Sequence, residues 1–270
     1  MRSLPLILLL NLFFFACQSG DTTENSTTTS TETTEAVKDA PVTKYKLTPF
    51  TTSPAYDDAE ITQMLYLNDK WDFQIGGSSY KLGEQTSDAP QKMCANSGKG
   101  QHLHLIINNE PYIAKYTAAF DDPLLAPGEY HMLAFLSRSY HESIKTKAAH
   151  KAQKITVENN MIKRAESINY PMVFYSRPKG TYTGKKETEK VMLDFYVVEA
   201  MLGANKYKVK VNINGEEDHL LDTWQPYYIE GLPMGTNTVT LTLLDPKGEV
   251  VEAPYNPISR EFELKADALE

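Results

Sequence analysis

The chain has 270 residues, of which 41% are hydrophobic and 10% aromatic, enough to fill the cores of one large or two ordinary domains. Its formal net charge is -8 at pH 7, and an acidic surface repels phosphate backbones, so nucleic acid is excluded as an expected partner.

The first 16 residues have the pattern of a signal peptide. A single basic residue, Arg2, precedes an apolar run from Leu4 to Phe15 that is too short for a comfortable transmembrane helix. The sequence Phe14-Phe15-Ala16-Cys17 resembles a bacterial lipobox, in which a small residue precedes the lipidated cysteine. The alternative is an ordinary secretory signal with a chance cysteine. Lipidation of Cys17 leaves Cys94 without a partner, which excludes an internal disulfide.

Residues 17–41 predict a disordered tether. From Gln18 to Ala40 the chain is almost entirely Ser, Thr, Glu, Asp, Asn and Gly, and Val37 is its one large apolar residue. Such a segment cannot bury enough apolar surface to fold. We therefore expect a spacer that holds the folded part away from a membrane.

The stretch from Gln101 to Asn109 alternates with a period of two residues, which predicts a β-strand. Leu103 and Leu105 lie on one face, and His102 and His104 share the other. The strand therefore points two imidazoles in one direction.

A second stretch, Tyr207 to Gly215, alternates in the same frame. The alignment places Val209 and Val211 on the leucines and Lys208 and Lys210 on the histidines. Because lysines are poorly tolerated in a core, we expect His102 and His104 to face solvent.

Other landmarks repeat along both halves. Proline bends at Ser53-Pro54 and Arg177-Pro178 correspond, and so do the glycines Gly128 and Gly235 that precede alternating strands. Many short strands separated by turn residues predict an all-β fold with two tandem antiparallel immunoglobulin-like β-sandwich domains. The expected limits are 42–160 and 165–266.

The signal, the tether and this domain style together resemble outer-membrane lipoproteins of Bacteroidota with tandem immunoglobulin-like domains. That resemblance implies a lipid-anchored protein at the outer membrane, facing the periplasm or the cell exterior, with the membrane as a partner. Gln18 after the cysteine resembles the pattern that permits outer-membrane sorting. No activity comes with the resemblance.

The first copy carries an insertion, Glu84 to Gly100, where the second has three residues. Insertions on loops are common places for function, because the scaffold beneath them is unchanged. Cys94 in this insertion, together with His102 and His104, offers the ligands that copper or zinc selects. Two further histidines, His131 and His141, could join them. The alternative is a pair of half-exposed histidines packed against the insertion.

The run from Ser137 to Ser143 is dense in polar and aromatic residues. Arg138 could grip a carboxylate or phosphate through two hydrogen bonds, so the run predicts a recognition loop for a peptide, a glycan or an anion. The alternative is a solvated loop held by its own hydrogen bonds. The residues predicted to bind this ligand are His102, His104, Tyr112, Arg138, Tyr140, His141 and Glu142.

Motifs of known catalysts do not occur in the sequence. It contains no Gly-x-Ser-x-Gly elbow, no phosphate-cradling glycine loop and no His-Glu-x-x-His. The sequence therefore favours a non-catalytic binding or adhesion module without a cofactor. The alternatives are copper or zinc binding at a Cys/His site and, less favoured, a hydrolase.

Overall fold

A computed structural model describes residues 43–267, which form an almost entirely β structure. The all-β prediction is confirmed. The predicted signal peptide, the tether and the lipidation site at Cys17 lie outside the described residues. No helix within residues 43–267 is long and apolar enough to cross a membrane.

The strands of the N-terminal half are β1 (Lys46–Pro49), β2 (Glu60–Leu67), β3 (Lys70–Gly76), β4 (His102–Ile107), β5 (Ile113–Lys115), β6 (Ala119–Phe120), β7 (Gly128–Ser137), β8 (His150–Glu158) and β9 (Met161–Ser167). Those of the C-terminal half are β10 (Met172–Arg177), β11 (Gly180–Thr183), β12 (Val191–Val198), β13 (Lys208–Ile213), β14 (Glu217–Leu221), β15 (Tyr227–Glu230), β16 (Gly235–Leu244) and β17 (Ile258–Lys265), with a single-turn helix α1 (Lys185–Thr188) after β11.

The N-terminal half forms an eight-stranded sheet in the order β5-β4-β7-β8-β9-β2-β3-β6. Its strands are antiparallel, as short hairpin-like connections require. Leu103 and Leu105 of β4 share a hydrophobic core with Trp71 and Phe73 of β3, from near the opposite end of the sheet. The sheet therefore folds over one core, and the predicted inward face of β4 is correct.

The C-terminal half forms two sheets around a second core, in the orders β1-β15-β12-β10 and β11-β17-β16-β13-β14. Strand β1 pairs with β15, so the first strand of the chain completes the C-terminal sandwich. Strand β9 in turn belongs to the N-terminal sheet. Sheet membership thus differs from the expected limits 42–160 and 165–266, because a strand can pair with a sheet far away in sequence.

The face of β4 opposite Leu103 is also buried. Ile106, Leu133 and Phe135 on β4 and β7 pack against side chains of β10 and β12 in a third core. The rings of Phe135 and Tyr196 stack with centroids 5.3 Å apart. Burial on both faces gives β4 a nearly continuous buried pattern, whereas β13 alternates between buried and half-buried residues.

The expectation that His102 and His104 face solvent is therefore wrong. Both side chains are fully buried, while the aligned Lys208 and Lys210 on β13 are half-buried. The alternation assigns the two histidines to one face correctly. It does not show that β10 and β12 cover that face.

Polar contacts also join the two halves. The Asn109 side chain donates a hydrogen bond to the Val173 carbonyl (2.9 Å) and accepts one from the Tyr175 amide (2.8 Å), so it pairs backbone groups on the buried edge of β10 that has no neighbouring strand in its sheet. The Tyr196 hydroxyl donates to the Ile144 carbonyl at 2.8 Å. These bonds fix how β10 and β12 lie on the histidine face of β4.

Candidate metal centre

Three histidine side chains converge between the two halves. Strand β4 places His102 and His104 two residues apart on one face, and the turn after β7 brings His141 to them. The His102 Nε2 atom lies 2.7 Å from His104 Nε2 and 3.0 Å from His141 Nδ1. Potential ligand atoms of all three residues lie within 4.8 Å of one another.

These distances fit a metal ion. A tetrahedral ion with bonds of about 2.0 Å holds its donors about 3.3 Å apart, so the two pairs that His102 makes, at 2.7 and 3.0 Å, need only small movements to bind one, while the His104–His141 pair lies within 4.8 Å. Strand β4 provides two donors on a rigid scaffold, which suits a defined coordination geometry.

His141 reaches the group through an unusual backbone conformation. Its amide donates to the Arg138 carbonyl and the Arg138 amide donates to the Glu142 carbonyl, both at 2.9 Å, which closes a tight turn. His141 has φ 70°, in the left-handed region, which asparagine, aspartate and histidine adopt more often than other residues with a side chain. This conformation aims the imidazole at β4.

The backbone at Gly100 orients His102. The His102 Nδ1–H group donates to the Gly100 carbonyl at 2.8 Å, which leaves the lone pair on Nε2, facing the other histidines. Gly100 has φ +84°, and a Cβ there would lie 2.4 Å from the Gly83 carbonyl oxygen. Only glycine fits this position, so Gly100, at the end of the insertion before β4, holds its carbonyl where it orients the His102 ring.

Burial keeps the three imidazoles neutral. It lowers the pKa of His102 to about 4, a value to which the nearby positive charges of Arg177 and Lys179 also contribute. Burial also holds the pKa values of His104 and His141 well below the ordinary value. At pH 7 each neutral ring therefore keeps one nitrogen with a free lone pair, the form that binds metals.

His104 Nδ1 has no hydrogen-bond partner among the described residues. The His104 ring is held by packing instead. It stacks face to face on Tyr112, with centroids 3.6 Å apart and planes 10° from parallel, and the Phe135 ring meets it edge-on at 4.8 Å.

Tyr112 completes the wall of the site. Its hydroxyl lies 3.3 Å from His141 Nδ1 and accepts hydrogen bonds from Arg177 Nε (3.1 Å) and Nη2 (2.7 Å). Burial raises the pKa of Tyr112 to about 12. Sequence reasoning nominated Tyr112 but missed Arg177. The alignment of the two halves could have pointed to Arg177, because it places this charged residue at the position of Ser53.

Cys94 and His131 do not join the three histidines. Cys94 lies in an apolar cluster with Phe50 and Tyr140, where burial raises the pKa of its thiol to about 12. His131 Nε2 lies 2.7 Å from the Tyr170 hydroxyl instead. Of the five ligands nominated from the sequence, the structure brings together His102, His104 and His141 and separates Cys94 and His131 from them.

The residues of the predicted recognition loop are buried rather than exposed. Arg138 is 7% exposed and donates to the Pro54 and Ser143 carbonyls, and the Tyr140 hydroxyl donates to Asp88 at 3.0 Å. Glu142 pairs with Arg138 at 3.5 Å. The expected shallow cleft with Arg138 and Tyr140 or Tyr112 facing solvent is not formed, because these side chains hold the turn that carries His141.

Comparisons with known proteins give no family. No family model matches the chain, and no curated protein matches it. Among solved structures it is similar to the Clostridium thermocellum CbhA fibronectin(III)-like modules, with 13% identity, a TM-score of 0.29 and coverage of 83% of this chain and 97% of that chain. It is also similar to the extracellular domain of a putative hybrid two-component system from B. thetaiotaomicron, with 10% identity, a TM-score of 0.28 and coverage of 79% and 39%.

Proposed function

We propose that this chain is a non-catalytic metal-binding protein of the bacterial cell envelope, which holds one transition-metal ion between His102, His104 and His141. The observation that carries the proposal is the convergence of two buried imidazoles, His102 and His104, with the half-buried His141, whose ring nitrogens approach to 2.7 and 3.0 Å. Between neutral rings such a separation is an N–H···N hydrogen bond, in which one ring donates and the other accepts, and a metal ion would take the place of the shared proton.

The donor set favours copper or zinc. Imidazole nitrogen suits zinc, copper, nickel and iron, whereas calcium and magnesium prefer carboxylate and carbonyl oxygens. The group contains three histidines and no carboxylate.

The titration experiment uses His141→Asn as the test variant. Asparagine tolerates the left-handed conformation of His141 and removes the imidazole, so the turn is expected to persist. Calorimetry of the purified chain with Zn²⁺ and Cu²⁺ is expected to show one ion per chain. The variant is expected to bind more than about 100-fold more weakly, because losing a ligand costs at least as much as losing a ligand's hydrogen-bond partner.

The matched control is His131→Asn, a change of the same type at a histidine that pairs with Tyr170. It is expected to bind with unchanged affinity and stoichiometry. Two results would refute the proposed site. One is that the unchanged protein binds neither Zn²⁺ nor Cu²⁺, and the other is that His141→Asn binds them with the same affinity as the unchanged protein.

The envelope location rests on the sequence. The apolar signal, Ala16-Cys17 and the tether support a lipid anchor on the outer membrane, with the folded part in the periplasm or at the cell exterior. Cys17→Ser is expected to move the protein from the membrane fraction to the soluble fraction of disrupted cells. Unchanged membrane association of this variant would count against the anchor.

A further inference from the structure

Three cations without a carboxylate partner among the described residues lie beside the turn that follows β4. Arg177 ends β10, Lys179 follows it by two residues, and Arg260 lies on β17. Arg260 Nη2 donates to the Asn109 carbonyl. The Tyr112 carbonyl accepts a bond from Lys179 Nζ, and the Tyr112 hydroxyl accepts one from Arg177 Nη2, each at 2.7 Å. We propose that this cationic cluster, Arg177, Lys179 and Arg260, binds one phosphate-type oxyanion. The cluster contains none of the proposed metal ligands, so its occupancy does not require a metal ion.

The other buried cations of the described chain are neutralised by carboxylates. Lys92 and Arg138 each pair with one, at 3.1 and 3.5 Å. Arg177 and Arg260 are buried to a similar degree, at 6% and 8% exposure, but the bonds that they donate within the described residues end on phenol and carbonyl oxygens. A buried charge without a counter-ion costs free energy, and an anion taken from solvent would supply the missing charge.

Lys179 adds a third positive charge to the same neighbourhood. Burial lowers the pKa of Lys179 to about 8, and the positive charges of Arg177 and Arg260 also contribute to this value. Glu110, in the turn after β4, is exposed, and its charge favours the charged form of Arg260 without forming an ion pair. The three cations therefore repel one another, and a shared anion would replace this repulsion with attraction.

Unused N–H groups are available to hold the anion. Arg260 Nη1 has no hydrogen-bond partner among the described residues. A lysine ammonium carries three donors, and the Lys179 ammonium spends one on the Tyr112 carbonyl. A phosphate group, with several acceptor oxygens and a charge of about -1.5 to -2 at pH 7, matches three cations better than a singly charged carboxylate does. Lys179 is half-buried beside the exposed Gly180, and its flexible stem lets the ammonium turn toward an anion that enters from solvent.

The experiment is calorimetric titration of the purified full chain with inorganic phosphate, after metal ions have been removed with an uncharged chelator. A chelator that carries carboxylates would compete for the cluster. One phosphate per chain is expected. Lys179→Met is expected to weaken binding by at least about 10-fold, the loss expected for one charge-assisted hydrogen bond. Lys179→Arg keeps the charge and is expected to retain most of the affinity.

The matched control is Lys185→Met, which removes the same charge from an exposed lysine and is expected to leave the affinity unchanged. Titration with glycerol phosphate tells the source of the group. Binding of the ester at least as tight as that of inorganic phosphate indicates a phosphate carried by a larger molecule, and weaker binding indicates the free ion. Binding of neither compound, or equal weakening by Lys179→Met and Lys185→Met, overturns the proposal.

If Lys179→Met does not fold, acetylation of lysines in the unchanged protein, followed by mass spectrometry, decides the question. Lys179 is expected to react more slowly in phosphate than in chloride of equal ionic strength, because a bound anion holds its ammonium, while Lys185 reacts equally in both. Equal rates for Lys179 in the two salts overturn the proposal.

Discussion

Replacing Lys145 with methionine is expected to lower the free energy of unfolding by about 3–5 kcal/mol, the usual loss when one partner of a buried ion pair is removed. The Lys145 ammonium pairs with the carboxylate of Asp194, a β12 residue with no exposure to solvent. Asp194 also accepts a hydrogen bond from the Ser143 amide at 2.9 Å. Without Lys145 the carboxylate keeps its charge in a core and loses its counter-ion. Urea denaturation followed by fluorescence measures the change.

Two comparisons test that explanation. Lys44→Met removes a lysine from the exposed pair Lys44–Glu216 and is expected to change stability little, since solvent screens such pairs. Adding Asp194→Asn to Lys145→Met removes the orphaned charge and is expected to recover much of the loss. Equal effects of the two lysine substitutions would show that the buried charge is not what stabilises this junction.

The Lys145–Asp194 pair also bears on the metal centre. Ser143, which bonds Asp194, follows His141 by two residues, and Asp194 lies on β12, one of the two strands that cover the histidine face of β4. The ion pair therefore anchors the turn that carries His141 to the C-terminal sandwich. Weakening this anchor is expected to loosen His141, one of the three proposed ligands, without changing the residues of the proposed site.

The sequence predicts what depends on local alternation. Leu103 and Leu105 lie in a core and His102 and His104 share one face, because the period of two residues is a property of the strand itself. The same period says nothing about what packs on the second face. Burial of the histidines depends on β10 and β12, which follow β4 by some tens of residues, so the repeat alignment with the half-buried Lys210 was misleading here.

The site residues also divide into those that local sequence pattern predicts and those that depend on tertiary structure. His141 and Cys94 both stand in loops rich in candidate ligands, and no sequence rule states which way a loop aims a side chain. The left-handed backbone at His141 turns its ring toward β4, whereas Cys94 turns into an apolar cluster. Arg138 was expected to bind a ligand, and it donates hydrogen bonds to the Pro54 and Ser143 carbonyls of its own chain instead.

Acidifying the metal-free protein from pH 7 to pH 5 is expected to lower its free energy of unfolding by about 2 kcal/mol for each of His102 and His104. Burial lowers the pKa of His102 to about 4 and that of His104 well below its ordinary value. The hydrogen bonds agree with this direction. His102 Nδ1 already donates to Gly100, and a proton added at His104 Nδ1 would find no acceptor among the described residues.

The direction of the effect follows from proton binding. Histidines of the unfolded chain titrate near the ordinary pKa of 6.5, while the folded pair stays neutral, so below pH 6.5 the unfolded state binds more protons. Stability is complete above pH 6.5 and falls by about 1.4 kcal/mol per pH unit for each histidine, down to about pH 4 for His102. Glu142 acts in the opposite direction, because burial raises its pKa.

Urea denaturation at about pH 7, 6 and 5, with a chelator present, measures this dependence. His104→Leu removes one titrating group from the core and leaves Glu142 in place, so its free energy of unfolding is expected to fall less steeply with acid, whatever its absolute stability. The slope, and not the stability at any one pH, is the informative quantity. Parallel slopes for the unchanged protein and His104→Leu would show that His104 takes up a proton in the folded state as readily as in the unfolded chain. The histidine face of β4 would then be open to water, contrary to its burial under β10 and β12.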